Sequence, residues 1–167
     1  VEGLRLQMPA GNQLDLSKQS AVYISGKKRI RVMNNWIQNA DSCCGIQVRA
    51  STDIILRGNI IWGGSWDGAT AGIPAVVSDI LFYSGSAGAR CVVEGNFCLS
   101  NNSQGIFFNA LGLDTDSTIS NNVCVTLNSA TWAMQATGGV RRHGIVVAYL
   151  GTNPSRTAIS GNVCRNT

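Results

Sequence analysis

Short runs of alternating apolar and polar residues recur along the whole chain, each beside an Asn in a fixed position. The third residue before this Asn and the second residue after it are apolar in every repeat. A further apolar pair follows, spaced by two residues, as in Val22 and Ile24 or Ile46 and Val48. This spacing is typical of β-strands with one buried face. The pattern predicts three short strands in each repeat, separated by turns rich in Gly, Asn, Ser and Asp, and no helix.

The repeated asparagines set the period of the pattern. They lie 23, 24, 37, 26 and 40 residues apart, at Asn12, Asn35, Asn59, Asn96, Asn122 and Asn162. The two long steps each contain an inserted loop, at residues 63–78 and 126–143, and removing the 10 and 12 extra residues leaves steps of 27 and 28. A repeat of about 25 residues therefore covers the chain. The near-identical "ISNNVC" and "ISGNVC" are two copies of one structural unit, because stacked repeats reuse the same bend.

These "GN" and "NN" turns, each followed two residues later by an apolar residue, resemble those of the pectate-lyase-like superfamily, which includes phage tailspikes. The resemblance runs from about Leu4 to Thr167 and implies an all-β fold, a right-handed parallel β-helix of about 5–6 coils with three short strands per coil. The Asn side chain suits this fold, since it tolerates a left-handed bend and its amide can bond to the coils above and below.

Length and charge limit the remaining possibilities. We expect residues 1–167 to form one β-helix domain, and a fragment of a longer chain, because Val1 is not an initiator Met and the last coil is unfinished. The chain has no apolar run near the ~20 residues that span a membrane. The net charge of +4 is spread along the chain, so we expect neither a membrane nor a nucleic acid as partner.

The six cysteines are better explained by packing than by chemistry. Cys98, Cys124 and Cys164 continue the inward column begun by Ile37 and Ile61, and a reduced Cys in such a place behaves as a small apolar residue. Cys91 has the same explanation, whereas the adjacent pair at 43 and 44 is expected in a turn. No CxxC pair with a His partner is present, so we predict neither a metal nor a cofactor.

Two outward columns have contrasting compositions. One alternates in charge along the coils, which predicts ion pairs along the surface: Arg29, Asp53, Arg90, Asp116 and Arg156. The other is apolar and includes Trp36, Trp62 and Phe97, which a water-facing strand should not carry. Either a loop of the chain or missing parts of the protein cover this face, or it joins subunits. Because tailspikes are side-by-side trimers, the resemblance favours a homotrimer.

Candidate functional residues lie in the two insertions, which should enclose a cleft, and on the strand they overhang. The outward residues of that strand should line this groove: Tyr23, Gln47, Arg49, Leu81, Tyr83, Phe107 and Asn109. For binding a polysaccharide we select aromatic rings and hydrogen-bonding groups: Arg49, Tyr83, Asn109, Trp66, Trp132 and Arg142. Asp67 and Asp79 could act as acid and base of a glycosidase, which needs two carboxyl groups. Asp79 replaces the glycine of the equivalent repeats, and its carboxylate should point off the start of the strand into the cleft, although it could equally cap a turn. His143 beside Arg142 could instead serve a lyase, although a lone His is often structural.

Two functions follow from these residues. In the first, the chain is a carbohydrate-active β-helix that binds and cleaves a bacterial surface or capsular polysaccharide by hydrolysis or elimination, as tailspikes do. In the second, it is a non-catalytic shaft or glycan-binding module of a trimeric fibre. Both imply an extracellular or virion-surface location.

Overall fold

The computed structural model describes residues 1–7, 20–38, 44–65, 78–83, 90–101, 104–109, 116–127, 144–148 and 156–166. The regular elements within these ranges are β-strands, and none of the described residues forms a helix that could cross a membrane. The strands are β1 (Arg5–Gln7), β2 (Ser20–Ser25), β3 (Arg31–Met33), β4 (Trp36–Gln38), β5 (Cys44–Arg49), β6 (Ile55–Arg57), β7 (Ile60–Ser65), β8 (Ser78–Tyr83), β9 (Val92–Glu94), β10 (Phe97–Asn101), β11 (Gln104–Asn109), β12 (Thr118–Ser120), β13 (Val123–Leu127), β14 (Ile145–Ala148), β15 (Ala158–Ser160) and β16 (Val163–Asn166).

The strands form three sheets, and each sheet takes every third strand of the chain. The first sheet has the order β1-β4-β7-β10-β13-β16, the second β14-β11-β8-β5-β2, and the third β15-β12-β9-β6-β3. The pairings within them are parallel. The chain therefore passes through three sheets in each turn and returns one level higher. This is a right-handed parallel β-helix with five coils from β2 to β16, which confirms the predicted fold class.

A ladder of buried asparagines fixes the register of the coils. The Nδ2 atom of Asn59 donates to Oδ1 of Asn96 at 2.9 Å and to the carbonyl oxygen of Val32 at 2.9 Å. The same arrangement joins Asn35 to Asn59, Asn96 to Asn122, and Asn122 to Asn162. Each amide therefore satisfies polar groups of both neighbouring coils, as the sequence predicted. Asn12 lies outside the described residues.

The left-handed bend belongs to the residue before each ladder Asn. Asn34 and Asn121 both have φ of 55°, and glycines with φ between 61° and 63° hold the same position at 58, 95 and 161. Glycine and asparagine tolerate this region better than other residues do. The "GN" and "NN" pairs thus divide the work, since the first residue makes the bend and the second bonds the coils.

The core is a set of columns running along the helix. Ile37, Ile61, Cys98 and Cys124 follow one another in the first sheet, and each is fully buried. In the second sheet the rings of Phe82 and Phe108 lie 4.7 Å apart between centroids. None of the described cysteines is in a disulfide bond. The sequence had placed Cys44 in a turn, but it is the buried first residue of β5. Cys43 lies outside the described residues.

The column of alternating charge forms the ion pairs that the sequence predicted. Arg90 binds Asp53 through two hydrogen bonds of 2.6 and 2.9 Å, and Arg156 reaches Asp116 at 2.8 Å. Arg57 and Glu94 add a pair of 2.7 Å on the outer face of the third sheet. The Arg90 guanidinium lowers the pKa of Asp53 to about 2, with a smaller effect from the Thr52 hydroxyl. These pairs occupy carboxylates that might otherwise be taken for catalytic groups.

Candidate functional site

The outer column at the end of the second sheet brings together three of the selected residues. Ser25 pairs with Arg49, and Arg49 pairs with Tyr83. Asn109 follows Phe108, whose partner is Phe82, so it comes next in the same column. Consecutive coils therefore carry Arg49, Tyr83 and Asn109 at the spacing of parallel strands, ~4.8 Å. The Arg49 side chain is exposed, and Tyr83 and Asn109 are placed here by their backbone register.

The neighbouring outer column is largely closed. The side chain of Tyr23 is 41% exposed, but Gln47, Leu81 and Phe107 are exposed by only 4%, 5% and 8%. Leu81 and Phe107 join Cys44 in a buried apolar cluster separate from the main core. The sequence had suggested that these positions line an open groove. The structure corrects this. Gln47, Leu81 and Phe107 are on the outer face of their strands, as the alternation of side chains requires, but they are buried.

Asp79 occupies the position that the sequence assigned to it, but it is not on the surface. It precedes Ile80, which pairs with Ile46 and Ile106, so it shares a row with Gly45 and Gly105. Its side chain is fully buried. This differs from the expectation of a carboxylate that points off the start of the strand into a cleft.

The surroundings of Asp79 are those of the interior. A Cβ atom placed on Gly105 would lie 2.8 Å from the Cys124 sulfur and 2.7 Å from the Gly144 carbonyl oxygen. The glycine row therefore packs against the cysteine column of the next coil. A hydrogen bond between the Cys98 and Cys124 thiols, burial and the nearby charge of Asp79 together raise the pKa of Cys98 well above its usual value. Asp79 thus belongs to a buried polar neighbourhood around Cys98.

The other selected residues were taken from the two insertions. Trp66, Asp67, Trp132, Arg142 and His143 lie outside the described residues. The proposed cleft between the insertions therefore stays a prediction.

The acidic residues on the described surface are already engaged. Asp53, Glu94 and Asp116 are in ion pairs, and Glu2 accepts a hydrogen bond of 3.0 Å from Asn34. Over the described ranges no three His, Cys, Asp or Glu side chains are grouped so that they could hold a metal ion. What this part of the surface offers a ligand is therefore cationic, aromatic and amide groups.

The sequence interpretation passed over a cluster of cations beside Arg49. Residues 27–31 read "KKRIR", and the side chains of Lys27, Lys28, Arg29 and Arg31 are all exposed. The density of charge in this run was the available signal. It was missed because Arg29 had been assigned to the column of alternating charge.

The first sheet carries an open apolar face, which is formed by five exposed side chains: Trp36, Ile60, Trp62, Phe97 and Val163. Their exposed fractions lie between 39% and 46%. Trp36, Ile60 and Phe97 are successive partners in one outer column.

Comparison with known proteins gives one match. A family model described as NosD, periplasmic copper-binding protein, matches residues 10–149. No curated protein and no solved structure matches the chain. The matched region contains β2 to β14, most of the coils described above. The chain therefore belongs to the NosD family.

Proposed function

We propose that this chain is an extracytoplasmic β-helix module that binds a glycan along the outer column of the second sheet. The observation that supports this most directly is the alignment of Arg49, Tyr83 and Asn109 on consecutive coils. A glycan is an extended polymer, and a column with one binding group in each coil offers it a repeated set of contacts. The family description, periplasmic, supports a location outside the cytoplasm.

The three side chains have complementary chemistry for sugars. The Arg49 guanidinium has five N–H donors in a planar fork, the Asn109 amide both donates and accepts, and the Tyr83 ring combines an apolar face with a hydroxyl. Sugars present hydroxyls around an apolar ring face, so this combination fits them. Nothing in the proposal requires a chemical step.

Cleavage of the glycan, as a hydrolase or lyase of the tailspike kind on a virion surface, is the finer form of the proposal. It depends on Asp67, Asp79 and His143. A glycosidase needs two carboxyl groups at ~5 to 9.5 Å with the substrate between them. The burial of Asp79 and the ion pairs of Asp53, Glu94 and Asp116 favour binding over cleavage.

Copper, which the family description names, does not fit the described residues. Soft copper sites use several thiolate or thioether ligands that converge on the ion. Within the part of the chain that the structure describes, no three His, Cys, Asp or Glu side chains are grouped so that they could hold a metal ion. Cys98 and Cys124 instead continue an inward column begun by Ile37 and Ile61, where they pack as part of the core. We therefore base no step of the proposed function on copper.

Titration of the protein with a panel of bacterial polysaccharides tests the binding proposal. Arg49→Ala and Asn109→Ala should each weaken binding about 10-fold, in line with the loss of one charge-assisted or well-placed hydrogen bond. Arg165→Ala is the matched control, because Arg165 is an exposed cation in the first sheet. Binding that is equally strong in all variants, or absent with every polysaccharide, would reject the proposal.

The role of Asp79 is tested separately by Asp79→Asn. A catalytic carboxyl predicts a loss of turnover by orders of magnitude with little change in melting temperature. A structural carboxyl predicts a changed melting temperature, because the group is fully buried. Unchanged glycan release by the folded variant would remove Asp79 from the catalytic set.

A second proposal concerns assembly, and the open apolar face supports it. We propose that copies of the chain associate as a homotrimer through Trp36, Trp62 and Phe97. A flat row of exposed aromatic side chains is unusual on a surface that faces water and is typical of interfaces.

A further inference from the structure

We infer that the glycan is anionic, and that its negative groups bind at the corner between β2 and β3, where Lys27, Lys28 and Arg29 lie beside Arg49. This inference rests on the proposed glycan binding and adds the charge of the ligand. It comes from a cation cluster outside the residues selected from the sequence.

Backbone hydrogen bonds hold this corner against the next coil. The Gly26 amide donates to the Arg49 carbonyl oxygen at 3.0 Å, and the Thr52 amide donates to the Lys27 carbonyl oxygen at 3.0 Å. The Arg29 amide donates in turn to the Thr52 carbonyl oxygen at 3.2 Å. The corner is thus fixed next to the end of β5, where the proposed glycan column begins. Its cations and Arg49 lie on one edge of the molecule.

The cations of this corner differ from the charged residues at the same corner of later coils, which form ion pairs. In later coils the corner residues pair with each other, Asp53 with Arg90 and Asp116 with Arg156. Among the described residues the ion pairs use Arg57, Arg90 and Arg156, and none of the cations of the corner.

Asp53 is the acidic group that acts on this corner, since its pKa is lowered slightly by the charge of Lys28. Both of its oxygens are bound by Arg90 at 2.6 and 2.9 Å. Its charge is therefore matched by a cation of its own. Among the described residues the corner therefore keeps an excess of positive charge, at one end of a column whose later members are paired.

Exposed lysines and arginines with an excess of positive charge can bind carboxylate, sulfate or phosphate groups on a sugar chain. Arginine binds such groups through two parallel hydrogen bonds, and lysine acts as a mobile point charge. Arg49 contributes to both the corner and the glycan column. A polymer lying along Arg49, Tyr83 and Asn109 would bring its charged substituents to the corner. Free phosphate or a lipid headgroup offers the same chemistry without the sugar chain, so both belong in the test.

The test compares alginate, a carboxylate polymer, with neutral dextran of similar length, inorganic phosphate and phosphatidylglycerol vesicles. We expect the wild-type protein to bind alginate more tightly than dextran. Lys27→Gln with Lys28→Gln should weaken alginate binding about 10-fold and leave dextran binding unchanged, because the lost positive charge attracts only the charged polymer. The effect should be largest at low ionic strength, where salt screens the charges least. Lys28→Gln alone is compared with Arg165→Gln, which removes the same charge from another side of the helix.

Several results would overturn the inference. If alginate and dextran bind equally and the lysine variants match the wild type, while Arg49→Ala still weakens both, the ligand is a neutral glycan and the proposed function stands. Equal losses in Lys28→Gln and Arg165→Gln would indicate a general effect of net charge. Binding of phosphate or vesicles alone would assign the corner to a free anion or a lipid. Failure of every polysaccharide would reject the proposed function together with the inference.

Discussion

The buried asparagines carry two kinds of hydrogen bond at once. In Asn122 the Nδ2 atom donates to Asn162 and to the Val93 carbonyl oxygen, each at 2.9 Å, while its Oδ1 accepts from the backbone and side chain of Asn96. The Asn amide carries a donor and an acceptor on one short side chain, and Gln places the same amide one methylene group further from the backbone. The residue before it, Asn121, is exposed and has φ of 55°, so its requirement is conformational.

The two neighbours should therefore respond differently to substitution. We expect Asn122→Ala to lower the free energy of unfolding by about 3 kcal/mol or more, because several buried polar groups lose their partners at about 1 to 3 kcal/mol each. Asn121→Gly should change stability by less than about 1 kcal/mol, since glycine adopts the same bend. Urea unfolding of both variants measures the difference. Equal effects would contradict the division of work between bend and ladder.

The ion pair of Asp53 and Arg90 predicts a dependence on pH. The pKa of Asp53 in the folded protein is about 2, below its usual value of 3.8. The ionised carboxylate therefore stabilises the fold at pH values above that usual pKa. This contribution should fall as the pH drops from about 4 towards 2 and be absent below that range. Asp53→Asn should remove this part of the acid sensitivity, as measured by melting temperature against pH. A variant with the wild-type profile over that range would contradict the assignment.

At the scale of strands, the second sheet begins against the cysteine column of the first sheet. Gly45, Asp79 and Gly105 are the second residues of β5, β8 and β11 and hold equivalent positions in successive coils, and Gly105 leaves room for the Cys124 thiol. Small residues are needed wherever two sheets meet this closely. Asp79 departs from the row, and it does so next to Cys98, where the charge of the carboxyl contributes to the raised thiol pKa.

Gly105→Ala should therefore be costly. The new methyl group would meet the Gly144 carbonyl oxygen at 2.7 Å and the Cys124 sulfur at 2.8 Å, and the backbone oxygen cannot move aside without shifting β14. Overpacking of this kind costs about 1 to 3 kcal/mol. Gly26→Asn serves as control, because nothing lies within 4 Å of that position and Asn tolerates its φ of 62°. Thermal melting of both variants checks this, and an unchanged Gly105→Ala would show that the row is not tightly packed.

The sequence predicted the register of the coils, which one repeated residue determines. It could not predict which outward side chains are buried, because contacts with distant parts of the chain determine that. The repeated Asn gave the register, and so placed Arg49 beside Tyr83 correctly. Alternation put Leu81 on the outer face of its strand but could not say whether that face is open, and it is buried. The sequence did not show the burial of Asp79 for the same reason, since the equivalent Gly105 packs against a cysteine column from another sheet.

For the whole molecule, each side of the helix has its own character because every column repeats one position of the coil. A column of paired charges lies just before the strands of the third sheet, the second sheet carries the proposed glycan column, and the first sheet carries the apolar face. Charged residues are present in the first two of these columns. The five residues of the apolar face are uncharged, and Arg5 and Arg165 lie at the two ends of its columns, so another surface can approach the middle of the face without removing ions from water. This is why we assign assembly to the first sheet and glycan binding to the second.

The assembly proposal predicts that polar substitutions on the apolar face separate the subunits. Trp62→Gln and Phe97→Gln should each weaken association about 30-fold or more, as expected for aromatic side chains at the centre of an interface. Both residues are about 40% exposed in the single chain, at 41% and 39%, so the monomer should keep its fold and melting behaviour. Tyr23→Gln is the control, because Tyr23 is equally exposed at 41% but lies on the second sheet. Sedimentation equilibrium over a range of concentrations measures the mass of each form. A wild-type protein that stays monomeric throughout, or variants that remain trimeric, would refute assembly through this face.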